Sequence, residues 1–221
     1  MTDFHIRTTA VSEDATFILE AFDSSLPHLA SIGSGEQWGL ELRSKQEIIV
    51  NRTNAEVEKA RSGISDNDAV FVAEIPWDDP VAESTRVRRD ENDQQMLKVA
   101  AAVVHGEFPW YVGERENLKA RVHEALDRAD FLYLSIMVSD FRAGDARKGA
   151  GAVLAQRVKN YAREKGKNAV FCDCWVGNGG KLIEFYHSQG FESVDGFEVK
   201  RTDTVWPGML LRMDIDQNKL K

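Results

Sequence analysis

The sequence predicts an α/β fold: a mixed, twisted sheet of about seven strands flanked by helices. Three observations carry this expectation. Residues 131–138, Phe-Leu-Tyr-Leu-Ser-Ile-Met-Val, are apolar almost throughout, as a central strand covered on both faces must be. Residues 149–165 then place Ala150, Val153, Leu154, Val158, Tyr161 and Ala162 along one helical face, with Gly166 as the stop. A second β-rich run over 169–176 follows directly, so strand, helix and strand form a unit of two parallel neighbours joined by a right-handed crossover.

The remaining elements are justified in order. Phe4-His5-Ile6-Arg7 has the alternation of a short strand, and Ser12-Glu13-Asp14 supplies cap chemistry for a helix reaching Phe22, with Ala15, Ile18, Leu19 and Phe22 on one stripe. Residues 24–39 are rich in Ser, Gly and Pro and contain Gln37-Trp38-Gly39, which predicts a loop. Ser44 is placed to cap a second helix over 45–61 that stops at Gly63. The period then changes to that of strands over 69–75 and 97–104, separated by a charged stretch, 78–95, that predicts a long hairpin tip. A short helix over 117–126, another over 180–188, and β-runs over 193–199 and 209–215 complete the sheet with antiparallel ends.

Composition sets bounds. A chain of 221 residues with 43% hydrophobic content buries one substantial core, and a single domain spanning 1–221 is expected. Asp3, His5 and Arg7 interrupt the first ten residues, so neither a signal peptide nor a membrane span is expected, and the cytoplasm is the simplest location. Cys172 and Cys174 share one face of a strand, where a disulfide is geometrically poor; with five scattered His they predict reduced core thiols and no metal site. A net charge of −8 argues against a nucleic-acid surface, which needs a basic stripe. It suits a cationic substrate, or serves solubility alone.

The chemistry concentrates at Arg147-Lys148-Gly149-Ala150-Gly151-Ala152, where the long helix begins. Unpaired amides at a helix start form an anion site, the glycines let a diphosphate approach the main chain, and Arg147 and Lys148 add positive charge. A dinucleotide fingerprint would need Gly where Leu154 stands, and a P-loop would need Gly-Lys-Ser/Thr, which is missing.

This segment resembles the acetyl-CoA signature of the GNAT superfamily of N-acyltransferases, Gln/Arg-x-x-Gly-x-Gly/Ala, following a strand that ends in a Val like Val138. Gly149 and Gly151 take the glycine positions; Ala146 stands at the first position, and the loop before the motif is about three residues longer than usual. A second segment, Asn178 to Phe191, resembles the family stretch in which an Asn contacts the pantetheine arm and a Tyr four residues before a Gly-Phe pair lies beside the thioester; by position these are Asn178 and Tyr186. The resemblance implies a GNAT-like fold splayed beside Val138. It implies acetyl-CoA as cofactor, held by Ile136, Met137, Val138, Arg147, Lys148, Gly149, Ala150, Gly151, Ala152 and Asn178. It further implies direct acetyl transfer to a primary amine of a small molecule or peptide; a homodimer is compatible with it.

In such a transfer the amine attacks in its neutral form and the carbonyl oxygen turns negative, so main-chain amides of Met137 or Val138 are candidates to stabilise it. A tyrosine of pKa ~10 is about 1.5 units too weak to protonate a thiol of ~8.5, which makes Tyr186 a hydrogen-bond donor to the departing sulfur. Asp173, an acid inside an apolar strand, ranks first as general base, followed by Glu107 and His105; for each, a satisfied structural polar group is the reading favoured over catalysis. Trp38 and Trp110-Tyr111 are candidates for the acceptor pocket or the core. An alternative of another class is an acyl-CoA-binding module without turnover.

Overall fold

The computed structural model describes residues 3–78, 85–201 and 204–217. Eight strands join one sheet: β1 (His5–Arg7), β2 (Ala69–Pro76), β3 (Val87–Arg89), β4 (Gln95–His105), β5 (Phe131–Ser139), β6 (Ala169–Trp175), β7 (Glu192–Lys200) and β8 (Val205–Asp214). Their order is β1-β2-β4-β5-β6-β8-β7, with β3 on β4. The predicted strand-helix-strand unit is the parallel pair β5–β6; β5 lies at the centre, and the flanking pairs run antiparallel. β4 is long enough to pair β3 and then β5 in succession, at residues 95–97 and 100–105.

Helices cover both faces. α5 (Ala150–Glu164) and α6 (Lys181–Ser188) pack on one face, where Leu154, Val158 and Ala162 are fully buried against Phe71, Leu132, Leu134 and Leu211. α1 (Glu13–Ser31) and α2 (Glu47–Ser62) cover the other through Phe17, Ile18, Phe22 and Val57. Burying each such side chain contributes about 1.5–3 kcal/mol. α3 (Trp110–Gly113) and α4 (Lys119–Arg128) close the β5–β6–β8 end over an aromatic cluster containing Phe131, Tyr133, Phe171, Trp175 and Trp206.

The sequence expectation is corrected in three places. The segment from Ser24 continues α1 to Ser31: Ser24 and Ser25 donate their hydroxyls to the carbonyls of Ala21 and Phe22, both at 2.7 Å, and Leu26 is buried, so local polarity did not break the helix. α2 starts at Glu47 after a tight turn over Arg43–Lys45, rather than at a Ser44 cap. Within the charged stretch, residues 79–84 lie outside the described residues, while 87–89 form the eighth strand. β3 is recruited by charge: Arg88 reaches the buried Glu74 at 2.6 Å, beside Arg7–Glu74 at 3.0 Å, Arg7–Asp14 at 2.5 Å and Lys98–Asp14 at 3.1 Å. Among the described residues no helix is long and apolar enough to cross a membrane.

Candidate active site

Strands β5 and β6 pair only from Phe131↔Ala169 to Leu134↔Cys172. Beyond this point β5 remains paired to β4 and β6 to β8, so the edges of residues 135–139 and 173–175 face each other without a ladder between them. A β-bulge coincides with the parting: Val104 opposes Leu134 and Val103 opposes Ile136, which leaves Ser135 as the extra residue and turns the strand. β6 ends in a turn that requires glycine, because a Cβ at Gly177 would sit 1.9 Å from the folded-back Trp175 ring.

The parting opens a cleft of about 1450 Å³, open solvent included, that runs through the sheet. At one mouth stand Gly149, Gly151, Phe185 and Tyr186; at the other, Phe22, Leu29, Trp38 and Trp206. The first mouth is the start of α5. There the amides of Gly149, Ala150 and Gly151 donate to no partner among the described residues, while those of Ala152 and Val153 return to the carbonyl of Gly149. Gly149 has φ +91°, a left-handed conformation that a side chain would strain. The free donors and the helix dipole give this mouth a positive potential in a chain that is acidic overall. Arg147 lies over the Phe141 ring at 3.8 Å and donates to the carbonyl of Gly144 at 2.6 Å, Lys148 pairs with Asp145 at 2.8 Å, and Ala146 packs on the core.

Midway along the cleft, Tyr186 is buried to 7% exposure, yet its hydroxyl makes no hydrogen bond among the described residues. Burial, reinforced by Cys172, Cys174 and Asp173, holds its pKa well above that of a free tyrosine, so it stays protonated and able to donate. Asp173 lines the cleft on the opposite face of β6 from Cys172 and Cys174, which are both buried and free. Its Oδ1 accepts hydrogen bonds from the Tyr133 hydroxyl and, at 3.2 Å, from that of Tyr111. Burial pushes its pKa above the ordinary carboxylate value, and the two tyrosines only partly oppose this.

The sequence-derived residues therefore divide. Ile136, Met137, Val138, Arg147, Lys148, Gly149, Gly151, Ala152, Asp173 and Tyr186 line the cleft, and Ala150 is buried at its mouth with its amide free. Asn178 stands apart: its side chain donates to Ser34 Oγ at 2.7 Å, tying the turn after β6 to the segment after α1. Glu107 and His105 line a second, adjoining cleft with Arg52, Glu56, Trp110 and Tyr111; Ser135 is common to both. Glu107 is 75% exposed and lies 3.6 Å from Lys59. Burial lowers the pKa of His105, which stacks on Tyr133 at 5.7 Å.

No family model matches the sequence, and no curated protein does. Solved structures do. An N-acetyltransferase from Staphylococcus aureus Mu50 superposes with a TM-score of 0.60 at 15% identity, over 97% of this chain and 100% of the other. A protein of Salmonella typhimurium described as an acetyltransferase with its cofactor acetyl-CoA gives 0.57 at 16%, over 100% and 98%. A GNAT superfamily phosphinothricin acetyltransferase from Sinorhizobium meliloti in complex with AcCoA gives 0.57 at 13%, over 100% and 92%. The fold is that of the GNAT acetyltransferases.

Within the GNAT fold, sequence reasoning missed the α1 contribution to the cleft, the bulge at Ser135 and the tyrosine pair on Asp173. The first had a signal, since Phe22, Leu26 and Leu29 continue a helical stripe. The bulge shows only as broken alternation around Tyr133, Ser135 and Ile136. The approach of Tyr111 to Asp173 spans 62 residues and left no local trace.

Proposed function

We propose that this protein is an acetyl-CoA-dependent N-acetyltransferase that moves an acetyl group directly to a primary amine of a small molecule or peptide. The observation that carries this reading is the parted β5–β6 pair leading to three free amides at the α5 start. That arrangement offers an extended slot ending in a diphosphate-sized set of donors. The residues fit the cofactor: the Gly149, Ala150 and Gly151 amides, aided by Arg147, suit the diphosphate, and the unladdered edge of 135–139 suits the pantetheine amides. When bound, acetyl-CoA supplies an acyl group activated as a thioester.

The chain's own groups then divide the work. The main-chain amide of Met137, on the unladdered edge of β5, is a fixed donor for an oxygen that gains charge and needs no reorganisation, whereas that of Val138 faces β4. Tyr186, kept protonated by burial and without another hydrogen-bond partner among the described residues, donates to the leaving sulfur. Asp173, held by Tyr133 and Tyr111, accepts the proton that the amine releases; its raised pKa suits it to this role better than an ordinary carboxylate. Asp173 lines the cleft whereas Glu107 stands on the exposed rim of the neighbouring one, which favours Asp173. The free thiols Cys172 and Cys174 fit a reducing cytoplasm.

A ligand at a hundredfold excess over its Kd stabilises a fold by about 2.7 kcal/mol. Differential scanning fluorimetry with acetyl-CoA is expected to raise the melting temperature accordingly. A flat response of well-folded protein would overturn the proposed function.

A further inference from the structure

The Arg43–Lys45 turn holds a cation whose environment does not satisfy it. The Arg43 guanidinium lies 4.6 Å from the Trp38 ring centroid and 5.8 Å from that of Phe22. Its Nε is shielded from solvent without a hydrogen-bond partner among the described residues. The nearest acid does not serve it: Asp23 turns Oδ1 to the main-chain amides of Arg43 and Ser44, at 2.5 and 3.3 Å. Its other charged neighbours repel it. Burial pushes the Arg43 pKa down to about 10, and the positive charges of Arg52 and Arg201 act in the same direction, with Asp23 and Tyr111 opposing. Arg201 directs two guanidinium nitrogens to the carbonyls of Glu36 and Gln37, at 3.3 and 3.1 Å, and Arg52 pairs with Glu56 at 3.1 Å.

Location gives this group a purpose. Trp38 and Phe22, which meet edge to face beside Arg43 with centroids 5.5 Å apart, line the through-sheet cleft; Arg52 and Tyr111 line its neighbour. Arg43 thus stands between the two clefts, at the mouth remote from the α5 start. A guanidinium stacked on aromatic faces keeps its donor edge free, and that fork matches a carboxylate. Arg43 is half-buried with its Nε shielded, and a charge partly withdrawn from water without a partner among the described residues is costly; a ligand that supplies the partner recovers part of this cost on binding.

We propose that the acceptor amine also carries a carboxylate, and that Arg43, flanked by Arg201 and Arg52, binds it. This rests on the acetyltransferase reading and narrows its substrate to amino-acid-like amines. The carboxylate would be anchored at the α1–α2 side, which presents the amine to the cleft from the face opposite the α5 start.

The test pairs amines that differ only in the carboxylate, phenylalanine with phenethylamine and methionine with 3-(methylthio)propylamine, across a panel of amino acids. Thiol release from acetyl-CoA is measured beside melting temperature without cofactor, the latter with N-acetylphenylalanine and N-acetylphenethylamine. A charge-assisted fork predicts a preference of roughly tenfold or more for the carboxylate member, residing mainly in KM. N-acetylphenylalanine is expected to raise the melting temperature and its decarboxylated analogue to leave it flat. Arg43→Met is expected to raise the melting temperature of the free protein and to erase both discriminations. Equal turnover with equal shifts, or an Arg43→Met protein that melts lower and keeps its selectivity, would overturn the proposal. Carboxylate-selective shifts with no thiol release from any amine would retain the anion site and count against the acetyltransferase reading; thiol release blind to the carboxylate would do the reverse.

Discussion

The two halves of the sheet bury their polar groups in opposite ways. Around β1, β2, β3 and β4, every buried charge meets its opposite: Asp14 lies against Arg7 and Lys98, and Glu74 against Arg7 and Arg88. Around the parted ends of β5 and β6, Asp173 has tyrosine hydroxyls for partners, the Tyr186 hydroxyl has no hydrogen-bond partner among the described residues, and two thiols lie beneath. The first half is closed and satisfied. The second keeps donor and acceptor capacity in reserve beside a cleft, which is what a reacting ligand requires and what a purely structural core avoids.

The comparison is most strongly tested on the closed side. Asp14→Ala leaves Arg7 and Lys98 buried without their shared acid, and loss of one member of such a network costs about 3–5 kcal/mol. Urea unfolding is expected to show this as a lower midpoint. A loss below about 1 kcal/mol would show that the network is not the closed unit described.

On the open side, Tyr186→Phe removes a hydroxyl with no hydrogen-bond partner among the described residues, so stability should hardly change. If that hydroxyl supports the leaving sulfur, kcat should fall roughly a hundredfold. The thermal shift with acetyl-CoA should persist. Unchanged turnover of a confirmed acceptor would remove Tyr186 from the mechanism.

The subtlest test contrasts the two acids by pH. Burial pushes the Asp14 carboxyl up, but the hydrogen bond and charge of Arg7, with the Val11 amide and Lys98, outweigh it and hold the pKa below its ordinary value. The stabilisation from Asp14 is therefore present above about pH 4 and is lost as pH falls through the lowered value. Asp173 is raised, so its contribution has the opposite sign: it is most favourable below about pH 4 and declines as pH rises through the raised value. Unfolding curves of Asp173→Asn and wild type should diverge in favour of the variant on going from acid to neutral pH. The acid limb of kcat/KM should lie above the ordinary carboxylate range and vanish in that variant. A parallel pH response of Asp14→Asn and Asp173→Asn would erase the distinction between the halves.

How much was legible depended on the range of the interaction involved. The α5 start was readable because glycines, basic residues and an amphipathic run are contiguous, and the free amides follow from helix geometry alone. The parallel β5–β6 unit was readable for the same reason, whereas Tyr186 was singled out only by the family resemblance. The division between Asp173 and Glu107 was not: both are acids at strand positions, and only the structure puts one in the cleft and the other on an exposed rim. Asn178 shows the limit of positional carry-over, since its side chain is engaged by Ser34 from a segment 144 residues away.

By itself, then, the sequence determined the period and order of the elements, apart from the end of α1 and the strand β3, and the glycine-rich start of α5. These depend on near neighbours, through hydrogen bonds and apolar spacing that a few consecutive residues define. Only the tertiary structure decided where β5 and β6 part, which acid the tyrosines hold, and that Arg43 stands near other arginines without an ion-pair partner among the described residues. Those outcomes are set by which distant segments exclude water from one another, and burial is a property of the assembled chain.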